Sequence, residues 1–138
     1  MSTLSNIPPH AVVPLQSYDR GALHSAAARA GQRVLQADCR AATDSDAVLG
    51  RIVEGFALPG NGEEGFDALY RHVTGLQPMH GSDAPGFVVF LENLPETAAF
   101  DRQARDRLLD VFREAADYFF DRETAFRVFY SVDRGPRA

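Results

Sequence analysis

Lysine is absent from this sequence: all 14 basic residues are arginines. Together with abundant alanine, that reads as the codon bias of GC-rich DNA and not as a functional signal. Cysteine is almost absent too. Cys39 stands alone, so no internal disulfide can form and a reducing compartment is the default. No apolar run reaches the ~18 residues that a membrane-crossing helix needs. Met1–His10 also lacks the charged and then apolar stretches of a secretory leader. These absences set the expectation of a cytoplasmic protein with no membrane contact.

Basic charge is in deficit as well, with 14 basic against 19 acidic residues and a formal net charge of −5. Such a chain repels phosphate backbones unless a local basic patch offsets its charge. Arg102, Arg105 and Arg107 are interleaved with Asp101, Asp106 and Asp110, so no such patch stands out. Direct nucleic-acid binding is not expected, and a basic protein partner suits the charge better.

The signatures of common enzymes are missing: there is no Walker loop, HExxH, GxSxG or CxxC. Gly60, Gly62 and Gly65 are spaced roughly like a phosphate loop, but they follow a helical pattern and not a strand. His10, His24, His72 and His80 are scattered, with no i,i+4 pair to hold a metal. Cys39 reads as a small buried thiol and not as a nucleophile. Neither a metal nor a cofactor is expected.

What is present suits one α/β domain. A length of 138 residues with 45% hydrophobic content supports one core, and 24% charged residues with regular apolar periodicity argue against disorder. Residues 1–9 are polar and proline-containing and read as a loose arm. His10–Leu15 forms a short apolar run in which Pro14 favours an edge strand or a strand end. Asp19 can cap a helix over residues 20–30 that Gly31 stops. Residues 33–39 read as a strand. Ser45 and Asp46 offer caps for a helix over 47–58, where Val48, Ile52, Val53 and Phe56 recur at helical spacing. A loop follows at 59–62, then a helix over 64–75 with Phe66, Leu69, Val73 and Leu76 on one face.

Gly86–Leu91 is a near-continuous apolar run, the mark of a strand covered on both faces. Pro95 and Glu96 open a helical region that is strongly amphipathic from Arg105 to Phe120. Residues 126–132 close the domain as a strand, and 133–138 read as a frayed tail. Strands alternating with helices imply a mostly parallel sheet with right-handed crossovers.

Two helix faces carry the candidate chemistry. Asp67, Tyr70, Arg71 and Thr74 are spaced i, i+3, i+4, i+7 and form one stripe, in which Asp67 and Arg71 can pair. Asp106, Asp110, Glu114, Asp117 and Asp121 form an acidic ridge relieved by Arg113. On spacing alone, two solvated helix faces are the better reading, because surface charge is normal.

A resemblance shifts that balance. Residues 57–76, ALPGNGEEGFDALYRHVTGL, resemble the barstar family, bacterial inhibitors of the secreted ribonuclease barnase. Residues 108–130, LLDVFREAADYFFDRETAFRVFY, are similar to the last helix and strand of that family. The motifs stand in the right order and cover roughly residues 32–132, leaving a strand–helix extension at 10–31 outside. The resemblance implies a barstar-like α/β layer with a small parallel sheet of three core strands, to which the extension can add a fourth. It also implies an inhibitor that lays one helix and its preceding loop across a ribonuclease active site.

By position, the loop supplies Asn61, Glu63 and Glu64. Asp67 falls on a contact carboxylate, Tyr70 on a neighbouring aromatic, and Glu114 on the acidic contact of the later helix. Thr74 and Leu76 fall where the helix end touches the partner. Two departures stand out. The family's principal aspartate is Arg71 here, and the aromatic pair of its loop is Asn61 and Gly62. The expected function is an intracellular inhibitor or immunity-type protein for a basic ribonuclease or related toxin. The alternative is an interaction or regulatory module with a target unrelated to RNA cleavage. An enzyme using Asp67, Glu63 and Glu114 as acid–base carboxylates is disfavoured, since an exposed helix face lacks a water-excluding pocket.

Overall fold

Three aspartates set the starts of three helices. Asp19 caps α1 (Arg20–Ala30), Asp44 caps α2 (Ser45–Gly55) and Asp101 caps α4 (Arg102–Phe120). Each carboxylate accepts from first-turn N–H groups that have no partner within the helix. The cap of α2 corrects the expectation of Ser45 or Asp46. Asp44 accepts from the Ala47 N–H at 2.8 Å, one turn ahead of the apolar periodicity. Gly31 ends α1 in the left-handed region, at φ 71°. The remaining helix, α3 (Gly65–Thr74), follows a 3-10 turn at Gly62–Glu64. The computed structural model describes residues 3–79, 81 and 84–133. Met1, Ser2, His80 and all of the expected tail from 134 to 138 lie outside the described residues.

Four strands, β1 (Val12–Pro14), β2 (Arg33–Asp38), β3 (Gly86–Leu94) and β4 (Ala125–Val132), form one sheet in the order β1-β4-β3-β2. Every described pairing is parallel. The fold is therefore the expected α/β layer, with the extension supplying the fourth strand. Pro14 sits on the edge strand β1, where its missing N–H costs least. β3 is flanked on both sides, and Phe87, Val88, Val89, Phe90 and Leu91 are each 0% exposed.

Alternation along the strands divides the apolar residues between two cores. Phe87, Val89, Leu91, Phe126 and Val128 meet α2, α3 and α4 on one face of the sheet. Val88, Phe90 and Phe129 meet α1 on the other. Leu69, Val73, Val88, Phe90, Leu109, Phe112 and Phe129 are all buried. Phe66 is only half-buried, and its ring is covered by the Arg107 guanidinium at 4.7 Å. Cys39 is fully buried, and loss of solvent pushes its thiol up to about 12. It packs in the core, where burial favours the neutral thiol.

Three boundaries differ from the sequence expectation. Residues 3–9 are not a loose arm: Thr3–Asn6 form a 3-10 turn, and Leu4 and Ile7 are each only 4% exposed. The buried face of α1 is narrow, built from Leu23, Ala26 and Ala27, so Leu4 and Ile7 complete the cover of Phe90 and Phe129. Backbone and side chain then tie the segment down. The N–H of Phe126 donates to the Pro9 carbonyl at 2.7 Å, and Arg127 Nε donates to the Ile7 carbonyl at 3.0 Å. Burial also lowers the Arg127 pKa from its ordinary value.

The second difference is that α4 starts at Arg102 and not near Pro95, because Asp101 provides the cap. The third is that β3 runs to Leu94 through a register shift between Leu91 and Leu94. Asn93 takes φ 58° there, and its Nδ2 donates to Asp38 Oδ1 at 2.9 Å. That bond, first among its causes, holds the Asp38 carboxyl below its ordinary pKa.

If α1 is part of the cooperative fold, truncating its one large core side chain should be costly. Leu23→Ala is expected to lower the free energy of unfolding by about 2–5 kcal/mol, with a single transition retained. Urea denaturation followed by circular dichroism measures this. A loss below about 0.5 kcal/mol, typical of surface sites, would show that the extension is dispensable.

Candidate functional site

The loop before α3 is held by its own side chains. Asn61 Oδ1 accepts from the Glu63 N–H at 2.8 Å, while Glu64 Oε1 accepts from the Asn61 N–H at 3.2 Å. This reciprocal capping satisfies donors that the helix start leaves over. Glu64 Oε1 also lies 3.8 Å from His72 Nε2. Two of the predicted contact residues, Asn61 and Glu64, therefore shape the loop, and Glu63 is left exposed beside them.

Gly62 is buried, and a Cβ added there would collide with the Asp46 carbonyl and the Gly50 N of α2. The loop thus lies directly on the backbone of α2, with no room for a side chain at 62. This accounts for one sequence departure: an aromatic residue at that position would force the loop off α2.

On α3, Ala68, Leu69 and Val73 face the core and leave Asp67 and Arg71 exposed and Tyr70 half-buried. Thr74 turns inward along its own helix, its Oγ1 donating to the Tyr70 carbonyl at 2.9 Å. Leu76 packs partly against the core. The expected pairing of Asp67 with Arg71 is not among the described ion pairs. An exposed i,i+4 pair contributes only about 0.3–0.5 kcal/mol and orders two mobile side chains to do so, so each charge stays available.

The structure brings Tyr70 of α3 together with Glu114 of α4. Both line a shallow hollow of about 450 Å³ with Asp117, Tyr118, Asp121 and Arg122. Arg122 stacks on the Tyr118 ring at 3.6 Å and donates to the Tyr118 carbonyl at 2.8 Å. Its charge is thereby held at one wall, while Glu114, Asp117 and Asp121 remain exposed. Asp67 and Glu63 do not line this hollow.

The expected acidic ridge of α4 is not continuous. Asp110 is held by Arg113 at 2.7 Å, and Asp106 lines a different cleft. That second cleft, about 880 Å³, gathers Arg102, Arg105 and Arg113, which the sequence reading missed. The signal was there: offsets of 3 and 11 residues place the three arginines on one helix face. Reading Arg102 and Arg105 as interleaved with aspartates, and Arg113 as relief to an acidic ridge, hid it.

Between its cap Asp101 and Arg122 past its other end, α4 carries charge against the helix dipole. Its first turn has no acidic residue and its last turn no basic one. Charges matched to the dipole contribute about 0.3–1 kcal/mol each, so helix stability does not account for this distribution.

The contact of Gly62 with α2 gives a direct test of the loop. Gly62→Ala should destabilise the protein by about 1–3 kcal/mol, the usual cost of overpacking, measured by thermal and urea unfolding. Unchanged stability of the Gly62→Ala variant would mean that the loop does not rest on α2.

The chain was compared with known proteins. The family model Barstar, described as barstar (barnase inhibitor), matches residues 32–131. No curated protein and no solved structure matches. The matched stretch begins just after Gly31 closes α1 and ends inside β4, so it contains β2, α2, α3, β3 and α4 and leaves β1 and α1 outside. With well over half of its 138 residues inside that match, the chain belongs to the barstar (barnase inhibitor) family.

Proposed function

We propose that this barnase-inhibitor-like protein binds a basic ribonuclease or related toxin through the exposed edges of α3 and α4 and blocks its active site. The observation that carries this reading is the meeting of Tyr70 and Glu114 at one hollow, with Asp117 and Asp121 beside them. Family membership supports a protein partner. Three carboxylates around a half-buried aromatic give a surface that attracts arginine and lysine side chains at a phosphate-binding site. Asn61, Glu63, Glu64, Asp67, Thr74 and Leu76 extend the contact along the loop and helix. Action inside the cell, as an immunity protein, is part of the same proposal, as is the absence of catalysis.

The mechanism is occlusion together with charge complementarity, and it needs no cofactor. Electrostatic steering acts over a Debye length of ~8 Å at physiological ionic strength, so association should slow as salt rises. Stopped-flow association rates with the true partner that stay flat from low to high salt would count against the acidic face.

Arg71 favours a partner that differs from barnase. It is exposed and makes none of the described ion pairs, so it would present its cation to an arginine-lined site. Like charge at an interface costs several kcal/mol. The alternative reading, an interaction module with a non-ribonuclease target, draws on the same observation. Arg71→Asp is expected to strengthen binding to a barnase-like enzyme. The new carboxylate costs the free helix about 0.2–0.5 kcal/mol beside Asp67, against ~1.5–3 kcal/mol for each charge-assisted bond gained. For the natural partner the same substitution should weaken binding, because that surface should place an acidic group opposite Arg71. Titration calorimetry of both variants against both enzymes measures this. Tight wild-type binding to a barnase-like enzyme that the substitution leaves unchanged would place Arg71 outside the interface.

A further inference from the structure

The largest hollow described above lies away from Tyr70 and Asp67, over the carboxyl ends of the strands. Its position follows from the topology. The chain leaves β1 toward α1 on one face of the sheet, and leaves β3 toward α4 on the other. β4 lies between those two strands, so the two connections part above its end. Open parallel sheets bind their ligands in a crevice of this kind. Here the crevice is floored by Tyr130, Ser131 and Val132 and walled by Gln16 after β1 and by α4 from Arg102 to Arg113. Its volume, about 880 Å³, suits a small molecule, since such sites span roughly 300–1,000 Å³.

The chemistry of the walls is cationic and incompletely satisfied. Arg102, Arg105 and Arg113 line the crevice from one face of α4. Arg102 is exposed and makes none of the described hydrogen bonds or ion pairs. Arg105 is the most buried of the charged groups in the described α4 ion pairs, its side chain 16% exposed. It reaches Glu96 only at 3.5 Å, longer than the ~2.7–2.9 Å of a well-formed guanidinium–carboxylate bond. Arg113 uses one Nη on Asp110 and keeps further donors.

We propose that this crevice binds the phosphate group of a small organic phosphate, with Arg102 and Arg105 as its principal ligands and Arg113 as a flanking cation. Guanidinium forks match phosphate oxygens in pairs, and Tyr130 lines the floor, while the Ser131 hydroxyl accepts from the Asn93 N–H at 3.0 Å. Glu96 occupies, at a long distance, the place on Arg105 that a phosphate oxygen would take; it is an internal competitor. Asp106, which also lines the crevice, and the carboxylates further along α4 repel an extended nucleic-acid backbone, which leaves a small ligand as the fitting class. The charge of α4 has a use in this arrangement: Arg102, Arg105 and Arg113 serve the crevice, and Glu114, Asp117 and Asp121 serve the partner face.

The test is a titration of the full chain with inorganic phosphate and pyrophosphate, followed by ¹⁵N NMR against a sodium chloride control of equal ionic strength. Saturable shifts should gather at Arg105, Leu109, Ser131 and Val132, with pyrophosphate the tighter probe. Arg102→Gln should weaken pyrophosphate about tenfold, as expected for one lost charge-assisted bond. Glu96→Gln should strengthen it severalfold by freeing Arg105, an effect that general loss of structure would not produce. Circular dichroism confirms the fold of both variants. Shifts reproduced by chloride, shifts centred on Glu114, or affinity unchanged by both substitutions would overturn the proposal.

Discussion

A parallel strand with neighbours on both sides needs apolar cover on both faces, and the rest of this molecule follows from that need at β3. Five consecutive residues, Phe87 to Leu91, are wholly inaccessible. Three of them are covered by α2, α3 and α4 and two by α1. The matched family region contains the first group of helices and not α1. Exposed without α1, Val88, Phe90 and Phe129 would form an apolar patch on an open sheet. The extension at 10–31, together with Leu4 and Ile7 of the segment before it, closes that face. His24 of α1 lies flat on Phe90 at 4.7 Å, and Arg20 pairs with Glu92 of β3 at 2.7 Å, so the added layer is joined to the strand by more than aliphatic contact.

Backbone proximity carries this order outward to the candidate site. A Cβ at Gly55 would strike the Gln36 carbonyl of β2, and one at Gly62 would strike α2. α2 therefore lies close on the sheet and the loop lies close on α2. The position of the loop is set by close backbone approach, which a glycine permits and any larger residue prevents. α3 begins where this loop ends, and its apolar stripe then fixes which residues look outward. Asp67 and Arg71 are exposed because Leu69 and Val73 are buried.

The order and type of the elements were legible in the sequence because each strong signal was local. Asp19 and Gly31 bracket α1, the run from Gly86 to Leu91 has no helical period, and the spacing of Leu108, Leu109, Phe112 and Phe119 admits only a helix. Less legible were features that depend on contacts distant in sequence. Leu4 and Ile7 sit among polar residues and prolines, and only the uncovered face of Phe90 and Phe129 makes them core residues. Phe66 has helical spacing but ends under Arg107, because α3 meets α4 at its margin. Family resemblance named Tyr70 and Glu114 separately, and their meeting at one hollow was not legible from spacing, since nothing local relates positions 44 residues apart. The crevice of Arg102, Arg105 and Arg113 required the end of β4 to be placed beneath α4, which no stretch of sequence records.

The charges of α4 give the last step. A surface helix selected for stability alone tends to place carboxylates in its first turn and cations in its last. Here the cap Asp101 and, past the other end, Arg122 follow that rule, but between them α4 begins with Arg102 and Arg105 and carries Asp117 in its last turn and Asp121 at its C-cap. Its inner face is nevertheless well built, with Leu108, Phe112, Ala115 and Ala116 fully buried. The inner face and the outer face thus answer to different constraints. Burial against β3 and β4 fixes the helix in place and holds it rigid. That rigidity frees the outer face to carry an arrangement of charge that an isolated helix would disfavour. Arg113 and Glu114 mark the turn where its sign changes: Arg113 is on the crevice side and Glu114 on the hollow side. One buried seam therefore supports two surfaces of opposite character.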